Sequence, residues 1–153
     1  DGLLTELPNN PYFHELKGQI LFENGYAKKA LLSYEKAVEL LPSNSLFRAD
    51  LGRVQLELND PKLLPRAITN FQISLEKEPQ RPFIWKQLGI TFGRLNMIGK
   101  SSRALAESAL LKGLRKEAIR LAKKAKKYLP KHSPGWIRAE DIIIAAQNIK
   151  RKR

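Results

Sequence analysis

The chain has 153 residues and no cysteine, which excludes disulfides and thiolate metal sites. No apolar run approaches the roughly 18 to 20 residues of a membrane-spanning helix. Its 28 Lys and Arg against 15 Asp and Glu give a formal net charge of +13, and that charge is uneven: residues 1–99 hold 12 basic against 11 acidic side chains, residues 100–153 hold 16 against 4.

In chain order, residues 1–9 read as a lead-in to a set of helices. From Pro11 the chain carries Gly18, then Ala30 twelve residues later, then Pro42 twelve after that. The same register returns as Gly52, Ala67 and Pro79, with Gly89 opening a third round. Ala30 to Ala67, Pro42 to Pro79 and Gly52 to Gly89 are each 37 residues apart, a period in the range of stacked repeats. Small residues let helices approach closely while Tyr34, Leu51, Phe71, Trp85 and Leu88 fill the space between them. The segment Ala27 to Leu40 places Ala30, Leu31, Tyr34, Ala37 and Val38 on one stripe, which predicts an amphipathic second helix. Three extra residues fall in Asn59 to Pro65, where two prolines predict a rigid loop.

The third round has Trp85, Leu88, Gly89 and Phe92 in place, but Ser101 stands where Ala is expected. The next good match runs through Ala118, Ala122 and Ala125 to Pro130, which lies 51 residues after Pro79, a slip of 17 from a 34-residue repeat. A helix from about Lys100 to Leu111 is therefore expected to serve both the third and the fourth repeat. Ser133 as N-cap with Pro134 behind it predicts a last helix covering the final apolar face.

This pattern resembles the tetratricopeptide repeat, whose consensus is 34 residues long. The resemblance implies an all-α fold, a right-handed solenoid of about 8 antiparallel helices. It spans residues 10–148, with repeats at about 11–44, 45–81, 82–112 and 99–132, a capping helix at 134–148, and a basic tail at 149–153. First helices of such repeats line a concave groove. By register the groove takes Tyr12, Glu15, Gln19, Phe22 and Glu23 from the first repeat, and Ala49, Arg53, Leu56 and Glu57 from the second. Phe83, Lys86, Ile90 and Arg94 follow from the third, and Arg103 and Glu107 from the shared helix. Phe22, Leu56 and Ile90 also suit a core. Tyr12, Glu15, Gln19, Arg53, Phe83, Lys86, Arg94 and Arg103 form the candidate partner-binding set. The mixture of aromatics and both signs of charge fits a protein segment better than a uniform polyanion. Glu15 and Gln19 stand where a clamp for a terminal carboxylate has Lys and Asn, whereas Lys86 and Arg103 are suited to an isolated acidic group.

Catalytic chemistry finds no constellation here. His14 and His132 are the two histidines, and Gly18 occupies the place of the second His in a zinc-binding HExxH helix. Packing between helices is the expected role of His14. Glu35 and Glu39 read as solvated carboxylates, and Gly89 and Gly93 as helix-packing glycines. Lys116, Arg120, Lys123, Lys124, Lys126 and Lys127 lie off the apolar stripe of Arg115 to Leu129 and are expected to form a solvated face. Few aromatics stand near them to stack on bases, so nucleic acid is disfavoured, and a membrane-surface role rests on the charge alone.

The opening segment from Asn10 to Gln19, the Asn59-Asp60-Pro61 loop, the stretch Ser108 to Gly113 and the close Ser133 to Ile142 together resemble the carboxy-terminal module of BepA-type bacterial periplasmic zinc metalloproteases. That resemblance implies a longer parent whose amino-terminal domain carries HExxH and zinc. It implies for this chain no catalytic, metal or cofactor residue of its own, and a periplasmic role holding outer-membrane β-barrel clients or their assembly machinery beside the protease domain. The start at Asp1, without Met, is expected of a piece of such a parent. The alternatives are a free-standing repeat adaptor and a basic binder of nucleic acid or membrane surfaces.

Overall fold

The computed structural model describes residues 9–150 and divides the chain into two compact units, one up to Glu78 and one from Pro79. The described residues form eight helices and no strand. Residues 1–8 of the predicted lead-in (1–9) and residues 151–153 of the predicted basic tail (149–153) lie outside the described residues.

The first unit holds α1 (Pro11–Glu23), α2 (Ala27–Leu40), α3 (Ser45–Leu58) and α4 (Leu64–Lys77), each packed on the next. Asn10 caps α1 by accepting the Tyr12 N–H at 3.0 Å, and Pro11 sits at a position where no backbone donor is needed. The core gathers Ala30, Tyr34, Ala37 and Val38 from the apolar stripe read on Ala27 to Leu40, and joins to them Phe47, Leu51 and Val54 of α3. Gly18 lies flat against the Tyr34 ring, and a Cβ there would come within 2.7 Å of it. Gly52 meets Phe71 in the same way at 2.9 Å. Each repeat of this unit thus joins its two helices through a glycine under an aromatic ring.

The Asn59–Pro65 insertion is ordered by Asp60, whose side chain accepts from Lys62 N and whose carbonyl accepts from Leu63 N and Leu64 N. Asn59 takes the left-handed conformation that ends α3. Pro65 was expected in the loop, but it lies in the first turn of α4, where its missing N–H costs nothing. Polar groups buried between α3 and α4 are mutually satisfied: Asn70 donates to Gln55 Oε1 at 2.7 Å, Arg48 donates to Asn70 Oδ1 at 2.9 Å, and Ser45 and Ser74 hydroxyls lie 3.0 Å apart.

Burial pushes the Tyr34 hydroxyl well above the ordinary tyrosine range, and Asp50 and Glu15 add to the effect. Unfolded tyrosine ionises near 10, so above that pH the unfolded chain binds fewer protons than the folded one. Stability then falls, by up to about 1.4 kcal/mol per pH unit from this group. Urea titrations at about pH 9 and about pH 11 are expected to show this loss, and Tyr34→Phe is expected to reduce it. An identical pH dependence in the variant would place the loss elsewhere.

The second unit holds α5 (Pro82–Arg94), α6 (Ile98–Leu111), α7 (Arg115–Tyr128) and α8 (Pro134–Gln147). Its core is small-residue rich, with Ala106, Ala109, Ala118, Ala122, Ala125, Ala139 and Ala146 around Leu121 and Ile142. Helix α6 begins two residues before the predicted Lys100 and packs on α5, α7 and α8. We take this three-sided packing as support for a helix shared between two repeats. Gly89 on α5 faces Leu105 on α6, and Ser101, standing in for the usual Ala, donates its hydroxyl to Gly89 O at 2.8 Å. The substitution thus adds a bond at the closest approach of the two helices. Ser133 caps α8 with Pro134 behind it, accepting from Trp136 N at 3.4 Å.

Candidate protein-binding surfaces

In the first unit the outer face of α1 carries Tyr12, Leu16 and Ile20 at four-residue steps, each at least half exposed. Tyr12 sets its ring edge on the buried Phe47, with centroids 5.4 Å apart, so its position is fixed although it faces solvent. Leu16 and Ile20 were not among the sequence candidates. Their i, i+4, i+8 spacing from Tyr12 was the available signal. The other candidates of this unit are engaged within the chain: Gln19 donates to Glu23 at 3.2 Å, and the Arg53 guanidinium lies over Phe22 at 5.1 Å. Glu15 is half-buried and Glu57 exposed, while Ala49 and Leu56 are in the core. His14 is half-buried on α1, and Glu39 pairs with Lys36 at 3.5 Å.

In the second unit Phe83, Lys86 and Arg94 are exposed on α5 and Ile90 is half-buried. Lys86 borders a cavity of about 300 Å³ whose apolar wall comes from Leu105, Ala109 and Leu121. Lys112 and the Arg120–Glu117 pair, 2.6 Å apart, complete its rim. The rim therefore has three cations against one carboxylate over an apolar floor.

Arg103 takes a different place. Its guanidinium stacks over Trp85 at 5.1 Å and pairs with Glu107 Oε2 at 2.9 Å. Arg138, on α8, closes on the same carboxylate with a two-pronged grip, Nε to Oε2 at 2.9 Å and Nη2 to Oε1 at 2.7 Å. The hydrogen bond to Glu107 holds the Arg138 guanidinium above its ordinary pKa, against a smaller opposing effect of burial. Arg138 was absent from the sequence candidates, and a pair 31 residues apart on different helices leaves no local pattern to find. Lys86 and Arg103, suited by sequence to hold one acidic group together, are bound up with different surroundings.

The basic face of α7 is exposed at Lys116, Arg120, Lys123, Lys124 and Lys127, as its periodicity predicts. Lys126 departs from the pattern: it is half-buried, pairs with Glu140 at 3.3 Å and lies 4.5 Å from the Trp136 ring centre. Among the described residues no three His, Asp or Glu stand grouped to hold a metal ion, and no helix is long and apolar enough to cross a membrane.

No protein-family model matches the chain. It is 34% identical over 87 residues to human tetratricopeptide repeat protein 33, a match covering 57% of this chain and 32% of that protein. Among solved structures, a crystal structure of MamA superposes with a TM-score of 0.68 at 18% identity, covering 95% of this chain and 81% of MamA. A second MamA structure gives 0.68 at 17% identity over 94% and 73%. The fold is that of a tetratricopeptide-like helical repeat. At these identities the likeness to MamA is one of fold, and the repeat spans about a third of the human protein's length.

Proposed function

We propose that this chain is a tetratricopeptide-type protein-binding module that holds a partner segment combining acidic and apolar side chains. The observation that carries the reading is the cavity beside Lys86, where Lys86 and Lys112 border an apolar floor. Such a rim attracts carboxylates while the floor takes an aliphatic or aromatic neighbour, the usual division of labour between rim and core of an interface.

The finer reading makes the module the client-holding part of a bacterial periplasmic zinc metalloprotease, acting on outer-membrane β-barrel proteins or their assembly machinery. It rests on the resemblance of the Asn10–Gln19, Asn59–Pro61, Ser108–Gly113 and Ser133–Ile142 segments. An HExxH helix encoded upstream of Asp1 is the expected finding; a reading frame without one would favour a free-standing adaptor.

The binding test uses a urea-unfolded, fluorescently labelled eight-stranded outer-membrane β-barrel protein, followed by anisotropy on dilution into the module. Lys86→Glu with Lys112→Glu is expected to weaken binding about tenfold, roughly 1.4 kcal/mol. Lys123→Glu with Lys127→Glu reverses as much charge on the α7 face and is expected to change it by less than about threefold. The opposite ranking would move the contact to α7 and favour a general polyanion surface.

A further inference from the structure

The second unit has another cavity, about 350 Å³, bordered by Pro79, Gln80, Trp85, Leu110, Glu107 and Arg138. Glu107 is almost wholly buried, its side chain 7% exposed, and both its oxygens are taken by arginine. One arginine in a two-pronged grip suffices to neutralise one carboxylate. Here there are two, and although Asp141 also acts on Arg138 through its charge, not every donor of the pair is used up within the chain. Arg138 commits Nε and Nη2 to Glu107, which leaves Nη1 on a side chain 40% exposed. Arg103 is ion-paired with the same carboxylate through Nη2, its Nε is buried, and it does not border the cavity. Beside Arg138 stand an aromatic wall, Trp85, whose indole N–H is already satisfied by Pro79 O at 2.8 Å, and an apolar one, Leu110.

We propose that Trp85 and Arg138, the latter held in place by Glu107, receive an Asp or Glu side chain of a partner polypeptide, with a neighbouring aromatic residue seated against Trp85 and Leu110. The proposal rests on the reading of the chain as a protein-binding module and names a second contact for it. Glu107 acts as the internal template: it holds two guanidiniums in place and leaves Nη1 of Arg138 to the incoming carboxylate.

The test follows the indole N–H resonance of Trp85 by NMR, with Trp136 as internal reference, while the whole chain is titrated with N-acetyl-aspartyl-phenylalaninamide. Its neutral isostere, N-acetyl-asparaginyl-phenylalaninamide, is expected to bind at least about fivefold more weakly. Arg138→Gln is expected to erase that preference. Glu107→Gln keeps an acceptor for the arginines but removes the competing charge, and is expected to bind the aspartyl peptide severalfold more tightly, a gain that a merely structural cluster would not produce. Equal titration by the aspartyl and asparaginyl peptides would overturn the proposal, and this comparison on the unmodified chain decides the matter even if a variant fails to fold. N-acetyl-phenylalanine acting at lower concentration than the aspartyl peptide would overturn the side-chain assignment in favour of a chain terminus. Loss of the acid preference while β-barrel binding stays sensitive to Lys86 would remove this site and leave the module intact.

Discussion

Phe71→Ala is expected to lower stability by about 3 to 5 kcal/mol, the largest single effect in the first unit. Phe71 is fully buried, and its ring fills the space that Gly52 leaves open on the facing helix. Removing it deletes apolar contacts and leaves a hole that α3 and α4 cannot close easily, because the Asn70–Gln55 and Ser45–Ser74 contacts on the same interface fix their separation. At roughly 2 to 4 °C per kcal/mol for a chain of this size, thermal melting followed by far-UV circular dichroism should fall by about 6 to 20 °C. A loss under about 1 kcal/mol would mean that Phe71 does not hold α3 and α4 together.

Gly89→Leu tests the second unit at its tightest helix contact. A Cβ at Gly89 would stand 2.7 Å from Leu105 Cγ and Cδ2 and 3.2 Å from the Ser101 carbonyl oxygen. Leu105 can turn aside, but the Ser101 carbonyl is backbone, so α5 and α6 must move apart and strain the Ser101–Gly89 hydrogen bond. Overpacking of this kind costs about 1 to 3 kcal/mol, more than the ~1 kcal/mol gained by removing a helical glycine. Gly93→Ala is the contrast: its Cβ would meet only the Ser101 hydroxyl, at 3.3 Å, so it is expected to be neutral or mildly stabilising in urea titration. Equal tolerance at both positions would remove the close approach of α5 and α6 as an explanation for Gly89.

The register that places Gly89 against α6 was readable without coordinates. Gly18 and Gly52 lie under Tyr34 and Phe71, two of the bulky residues the register set among the small ones, and the second helix read as Ala27 to Leu40 has those ends. The Ser133–Pro134 start of the last helix was equally legible. Such features follow from local rules, namely where a backbone can turn, which residue can cap, and which spacing makes an apolar stripe. Pro65 was misplaced because proline reads alike in a loop and in a helix's first turn.

The candidate sites were legible only in part. Trp85 and Lys86 are consecutive, yet Trp85 stacks with Arg103 while Lys86 borders the cavity near Lys112, because successive helical residues point about 100° apart. Register counting placed Lys86 and Arg103 in one groove, but it has no term for Arg138 arriving from α8 to share Glu107.

By itself, then, the amino-acid order determined the helices, their small-over-large contacts and the basic face of α7, since all of these are set by spacing along one or two adjacent helices. Only the tertiary structure decided which distant charges meet. Arg103 and Glu107 are four residues apart on α6, whereas Arg138 reaches Glu107 because α6 packs against α8 as well as α5, and a charge far along the chain becomes a neighbour only when packing brings its helix there.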